Sequence, residues 1–253
     1  MTHPIPATYR YIAFFDLLAD AIFQHRMAMN ETSAYLCNRY ARASISASSL
    51  SVECFANCLL AISESSKKLL DELDKLSPIP KVEIALHLQG GGELDRGSSE
   101  VQKIAELIKA RNEFVHSKST ALEANIDIPQ DAGTEWMVPI SMTGEQWKQL
   151  AIPKVAMFWS RESSLLVLSA ISSFYRYVLI DLMRADEELV NRILISRVEF
   201  GNVHMPGVYD EFREQLAVAF EFGIDFSFLG LAKNPRKAEA ESVPPNERDD
   251  GIG

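Results

Sequence analysis

The chain has 253 residues, 47% of them apolar, a net charge of −10 and a pI near 5.1. That apolar share supplies a sizeable core and excludes wholesale disorder. The acidic balance excludes a general electrostatic binder of nucleic acid, which presents a basic face, but leaves room for a small local phosphate site.

The N-terminal MTHPIPATYR has no basic region ahead of an apolar run, so no targeting segment is expected. Residues 8–29 predict a first helix. Tyr11, Phe14, Phe15, Leu18, Ala21 and Ile22 recur at spacings of three and four, with Asp16 and Asp20 off that face. Residues 31–65 predict a second, long helix whose surface is apolar or small almost all round, the mark of a central buried helix. The piece KLLDELDKL ends before Pro78 and Pro80, and the short helix KVEIALHL stops at Gly90–Gly92. The triple glycine suits either a helix stop or a phosphate cradle, and its position after a helix favours the stop.

Ser99 and Gln102 predict a capping box for a helix over roughly 100–117. ANIDIP and WMVPIS, separated by QDAGTE, alternate and carry β-branched residues, which predicts a small β-hairpin insertion at about 121–143. A long helix follows from about Pro153 to Arg184. It holds the most apolar run of the chain, but Arg176 and Asp181 interrupt that run, so it reads as a buried helix and no membrane span is expected. A shorter helix spans 207–221, and the charged, Pro-rich stretch 231–253 predicts a disordered tail.

The expected fold is therefore all-α, a bundle of four or more long helices. The expected division is an N-terminal helical extension (1–30), the bundle (31–185), a C-terminal helical extension (186–230) and the tail. Cys37, Cys54 and Cys58 give no disulfide framework and suit a reducing, cytoplasmic setting. Cys54 and Cys58 are four apart and admit a metal, but no His pair matches them, and core thiols fit better. His25, His87 and His204 have no evident partners.

The stretch RNEFVH, residues 111–116, ends the helix that begins near 100. At about 100° per residue, Val101, Ile104, Ile108 and Val115 define one face, and Arg111 projects among them. A permanent cation on an apolar face is costly unless it is paired or reaches an exit. Asn112 and His116 are four apart on the adjoining face. Two readings stand: a solvated helix end, or a semi-buried polar site. Glu53 and Asn57 form a polar pair on the otherwise apolar second helix. They mark either its wetter side or the partner of Arg111, with Glu53 meeting the guanidinium inside the bundle.

SSLSVECFANCLL, the KVEIALHL helix, the Gly-rich loop and the helix ending in RNEFVH together resemble the HEPN superfamily, over roughly residues 35–185. The signature of that family is an Arg followed after four to six residues by His, commonly with a polar residue just after the Arg. The resemblance implies a catalytic set of Arg111, Asn112 and His116, with Glu53 and Asn57 in support. It implies a helical bundle that acts as a homodimer, a metal-independent endoribonuclease with no cofactor, and an RNA substrate. It also implies a toxin or antiviral role held in check by an inhibitory protein partner. Other members of the family are non-catalytic interaction or nucleotide-binding modules.

The chemistry suits the residues. RNA cleavage without metal uses the 2′-hydroxyl as nucleophile and needs proton transfer, which His performs near neutrality. It also needs positive charge on the phosphoryl oxygens, which Arg supplies in bidentate geometry. One candidate His per chain makes a second protomer part of the mechanism.

Overall fold

A computed structural model describes residues 6–63, 66–116, 125–126, 140–141, 145–201, 203–207 and 210–231. The architecture is mostly helical, with a small antiparallel sheet. Helix α1 (Phe14–Asn30) buries Phe14, Phe15, Leu18, Ala21, Ile22, His25 and Ala28, one stripe at spacings of three and four. The first helix therefore begins six residues later than its periodicity suggests. Thr8–Arg10 are instead strand β1, and Tyr11 stands exposed with its hydroxyl on Asp16.

Helix α2 (Ala34–Ala61) is the central element and touches α1, α4, α5 and α6. Its small residues allow close approach. Ser44 Oγ donates to the Ala21 carbonyl of α1 at 2.7 Å, and Ser51 Oγ lies 2.6 Å from the Tyr175 hydroxyl of α6. Helix α3 (Lys67–Leu73) buries none of its side chains. Helix α4 (Pro78–Leu88) starts on Pro78, where a missing N–H costs nothing. It ends at Gly90, which takes φ +68°, while the Gly91 N–H donates back to the Leu86 carbonyl.

Helix α5 (Ser99–Val115) buries Val101, Ile104, Leu107 and Ala110. Two expectations change here. Its cap is Ser98, not Ser99, because the Ser98 hydroxyl accepts from the Val101 N–H. Val115 is not part of the buried face: it is 58% exposed, since the helix end projects past the bundle. Strands β2 (Asn125–Ile126) and β3 (Ile140–Ser141) pair antiparallel inside the expected hairpin, whose remainder lies outside the described residues.

The long helix expected from Pro153 starts at Arg161. Helix α6 (Arg161–Arg176) is capped by Ser160, which exchanges hydrogen bonds with Ser163, and it runs on as a π-helical segment, Tyr177–Leu182. Before it the chain folds back, with Gln146 bridging to Pro153 and the Trp159 indole donating to the Pro153 carbonyl at 2.7 Å. Helix α7 (Glu187–Leu194), strands β4 (Arg197–Phe200) and β5 (Val203–Pro206) and helix α8 (Asp210–Glu221) follow. The sheet order is β1-β4-β5, with Tyr9 opposite Val198 and Val198 opposite Met205.

One core cluster runs from Phe14 in α1 through Phe55, Ile104 and Phe174 to Leu229 and Leu231 near the C-terminal end. The segments 1–30 and 186–230 thus bury residues in the same core as the bundle. Of the expected tail, 231–253, Leu231 is instead buried in the core, and residues 232–253 lie outside the described residues. By length and composition, Ala34–Ala61 and Arg161–Leu182 are each long and apolar enough to cross a membrane. About half of each candidate span, 56% and 50%, is buried inside the fold.

Candidate functional site

The last turn of α5, the middle of α2 and the α3–α4 connection enclose a cleft of about 220 Å³. Glu53 and Ser49 reach it from α2, Arg111, Asn112 and Ile108 from α5, and Lys75 and Ser77 from the connection. The apolar stripe of α5 ends at Ala110, so Arg111 falls at the point where a buried face becomes an open one. Its stem is covered by the bundle and its head reaches the cleft, as a long cationic side chain does at such a boundary.

Arg111 Nη1 donates to Asn112 Oδ1 at 2.9 Å. Its Nη2 lies 3.9 Å from Glu53 Oε2, an ion pair without a hydrogen bond. The two side chains are 25% and 38% exposed. The expected meeting of Glu53 and Arg111 is present, but as a loose contact at a cleft wall.

The tighter partner of Glu53 is Lys81, which the sequence reading passed over. Lys81 is 1% exposed and its Nζ meets three acceptors: Asn57 Oδ1 at 2.7 Å, Asp74 Oδ1 at 3.1 Å and Glu53 Oε1 at 3.5 Å. Three acceptors match the three donors of an ammonium group, which makes this burial tolerable. Asn57 therefore serves Lys81. A signal for Lys81 was available: it shares the buried stripe of α4 with Pro78, Val82 and Ala85, the same argument that singled out Arg111.

His116 is the C-cap of α5, with its N–H on the Asn112 carbonyl at 2.9 Å. It is exposed and is not among the cleft-lining residues. Of the five candidate residues, Glu53, Arg111 and Asn112 line one cleft, Asn57 joins them through Lys81, and His116 stands at the end of the helix that carries Arg111 and Asn112.

Elsewhere, His25 is fully buried, with Nδ1 2.7 Å from Ser164 Oγ and Nε2 without a partner among the described residues. Burial pushes its pKa down to about 4. The Cys54 and Cys58 sulfurs lie 4.0 Å apart. Their hydrogen bond raises the Cys58 thiol, as burial also does, which fits the core-thiol reading, whereas it lowers the thiol of half-buried Cys54. Among the described residues, no group of three or more His, Cys, Asp and Glu side chains is placed to hold a metal ion. No family model, curated protein or solved structure matches the chain.

Proposed function

We propose that this protein is a metal-independent endoribonuclease of the HEPN type, acting as a homodimer on RNA in the cytoplasm. The observation that carries the reading is the state of Arg111. It opens onto a cleft, spends one hydrogen bond on Asn112, and leaves the rest of its guanidinium to an incoming phosphate. Support also comes from the order of the parts. A long central helix supplies Glu53 and Asn57, a short helix follows, and the next helix ends in Arg111, Asn112 and His116.

In this reaction the 2′-hydroxyl oxygen bonds to phosphorus and the bond from phosphorus to the 5′-oxygen breaks. The 2′-proton goes to one imidazole and the leaving oxygen receives a proton from another. Arg111 holds the phosphoryl oxygens, and Asn112 fixes the guanidinium through its Oδ1. His116, exposed at the helix end, is free to reach a phosphate held between two protomers.

The wild-type chain is expected to cleave RNA in the presence of EDTA, leaving 2′,3′-cyclic phosphate and 5′-hydroxyl ends. His116→Ala should lose at least about a hundredfold in rate, the usual worth of a general acid or base, with an unchanged circular dichroism spectrum. Cleavage that needs a divalent metal, or that persists in His116→Ala, removes this site from the reaction. The alternative, a non-catalytic ligand-binding module, is favoured by one observation, the position of His116 outside the cleft lining. No cleavage of total RNA, together with retained phosphate binding at Arg111, would decide for it.

A further inference from the structure

The carboxylate of Glu53 is shared between two cations. Oε1 faces the buried Lys81 at 3.5 Å and Oε2 faces Arg111 at 3.9 Å. Both cannot be read as simple ion pairs of one acid. A lone Glu53 in the wall of a phosphate site would work against the site, because it would repel the ligand and engage Arg111 itself. The arrangement avoids this. Lys81 is held rigidly by Asn57 and Asp74 on its other sides, and Arg111 stays beyond hydrogen-bond distance of the carboxylate.

We propose that Lys81 is a positioning residue of the cleft: the counter-ion that takes up the charge of Glu53 and so leaves Arg111 open to an anionic ligand. This rests on the reading of Arg111 as the phosphate-binding cation. Lys81 never touches the ligand. Its position behind Glu53, 1% exposed and walled in by α2, α4 and Asp74, bars it from the cleft. The effect is electrostatic and local. With Lys81 present, the charge of Glu53 is offset from behind by an ammonium that it shares with Asp74, and, since Lys75 pairs with Glu72 at 2.9 Å, Arg111 is the cation left facing the cleft. Without it, Glu53 and Arg111 close on one another and the guanidinium is spent.

A role confined to holding α2 and α4 together makes different predictions, so the two are separable. The probe is inorganic phosphate, titrated into the full-length chain by NMR with Arg111→Ala as the null control. Wild type should bind, and Lys81→Met should bind about tenfold more weakly while still folded by circular dichroism. The double variant Lys81→Met/Glu53→Gln should recover most of the lost affinity, because the charge that needed neutralising is gone. Glu53→Gln alone keeps Lys81 and should bind about threefold more tightly than wild type, which tests the proposal even if Lys81→Met fails to fold. The proposal is overturned by a wild type that does not bind phosphate, by Lys81→Met binding as wild type does, by a double variant no better than Lys81→Met, or by weaker binding in Glu53→Gln. RNA cleavage in EDTA is scored separately, so loss of the nuclease reading and loss of the counter-ion reading are distinguishable.

Discussion

At the scale of single residues, His25 and Lys81 show two ways to bury a titratable group. The Lys81 ammonium meets three acceptors. His25 has one polar contact, to Ser164, which itself donates to the Arg161 carbonyl, and its ring stands edge-on to Phe222 at 4.8 Å. Its folded pKa of about 4 lies below the ordinary value of 6.5, so the proton binds the unfolded chain more readily. The contribution of neutral His25 is complete above pH 6.5 and is lost as the pH falls toward 4. We expect roughly 2 kcal/mol of stability to disappear over that window on this account. Urea midpoints at pH 7, 6, 5 and 4 check it. His25→Leu should show a flatter profile than wild type, and parallel profiles would exclude His25 as the cause. Arg111 was legible in the sequence because a cation interrupted an apolar stripe. Lys81 obeys the same rule, but on a helix of 11 residues that opens with two prolines the apolar stripe is too short to stand out.

At the scale of elements, the long helices were legible, whereas helix α7 and the sheet were not. Helices α1 and α2 repeat an apolar stripe over about four turns or more and α5 over nearly three, which is enough for the period to declare itself. Strands β1, β4 and β5 have three or four residues each, too few to show alternation, and the pairing of β1 with β4 joins residues far apart in the chain. Helix α6 starts at Arg161 and not near Pro153, because the Ser160–Ser163 cap sets its beginning. The end of α4 depends on Gly90 at φ +68°, with open space around its α-carbon. Gly90→Ala should therefore cost about 1 kcal/mol through backbone strain alone. Thermal unfolding measures this, and an unchanged midpoint would show that the turn relaxes. Neighbouring Gly92 donates its N–H to the Leu182 carbonyl at 2.9 Å, so this turn also ties α4 to the π-helical end of α6.

At the scale of the whole molecule, the proposed reaction needs a second chain. Each chain offers one candidate histidine, and exposed apolar side chains stand near it among the described residues. Phe114 and Val115 stand exposed beside it, and Met157 is exposed nearby, where Phe114 packs on Trp159 at 5.5 Å. The start of α2 belongs to the same neighbourhood, since Asn38 donates to the Met157 carbonyl and Tyr35, one turn earlier, is exposed. We expect a dimer at micromolar concentration by sedimentation. Val115→Glu should yield monomers with an unchanged melting temperature, because Val115 adds little to the core. A wild type that is monomeric at all accessible concentrations, or a dimer that survives Val115→Glu, would remove this face from the assembly.

The pairing of β1 with β4 has a consequence for how the protein is made. Thr8 meets Glu199 and Arg10 meets Arg197, so β1 waits for a strand made almost 190 residues later. At about 5 to 20 residues per second, the wait between them is on the order of 10 to 40 s. Helix α1 has the same dependence, since Phe222 covers its His25 only after almost the whole described chain has been synthesised. During that interval the central helix can gather α4 and α5, and with them the cleft, before β1 and β4 are joined. A nascent chain stalled before residue 197 would thus carry Glu53, Lys81 and Arg111 in a bundle whose first helix is still open on one side.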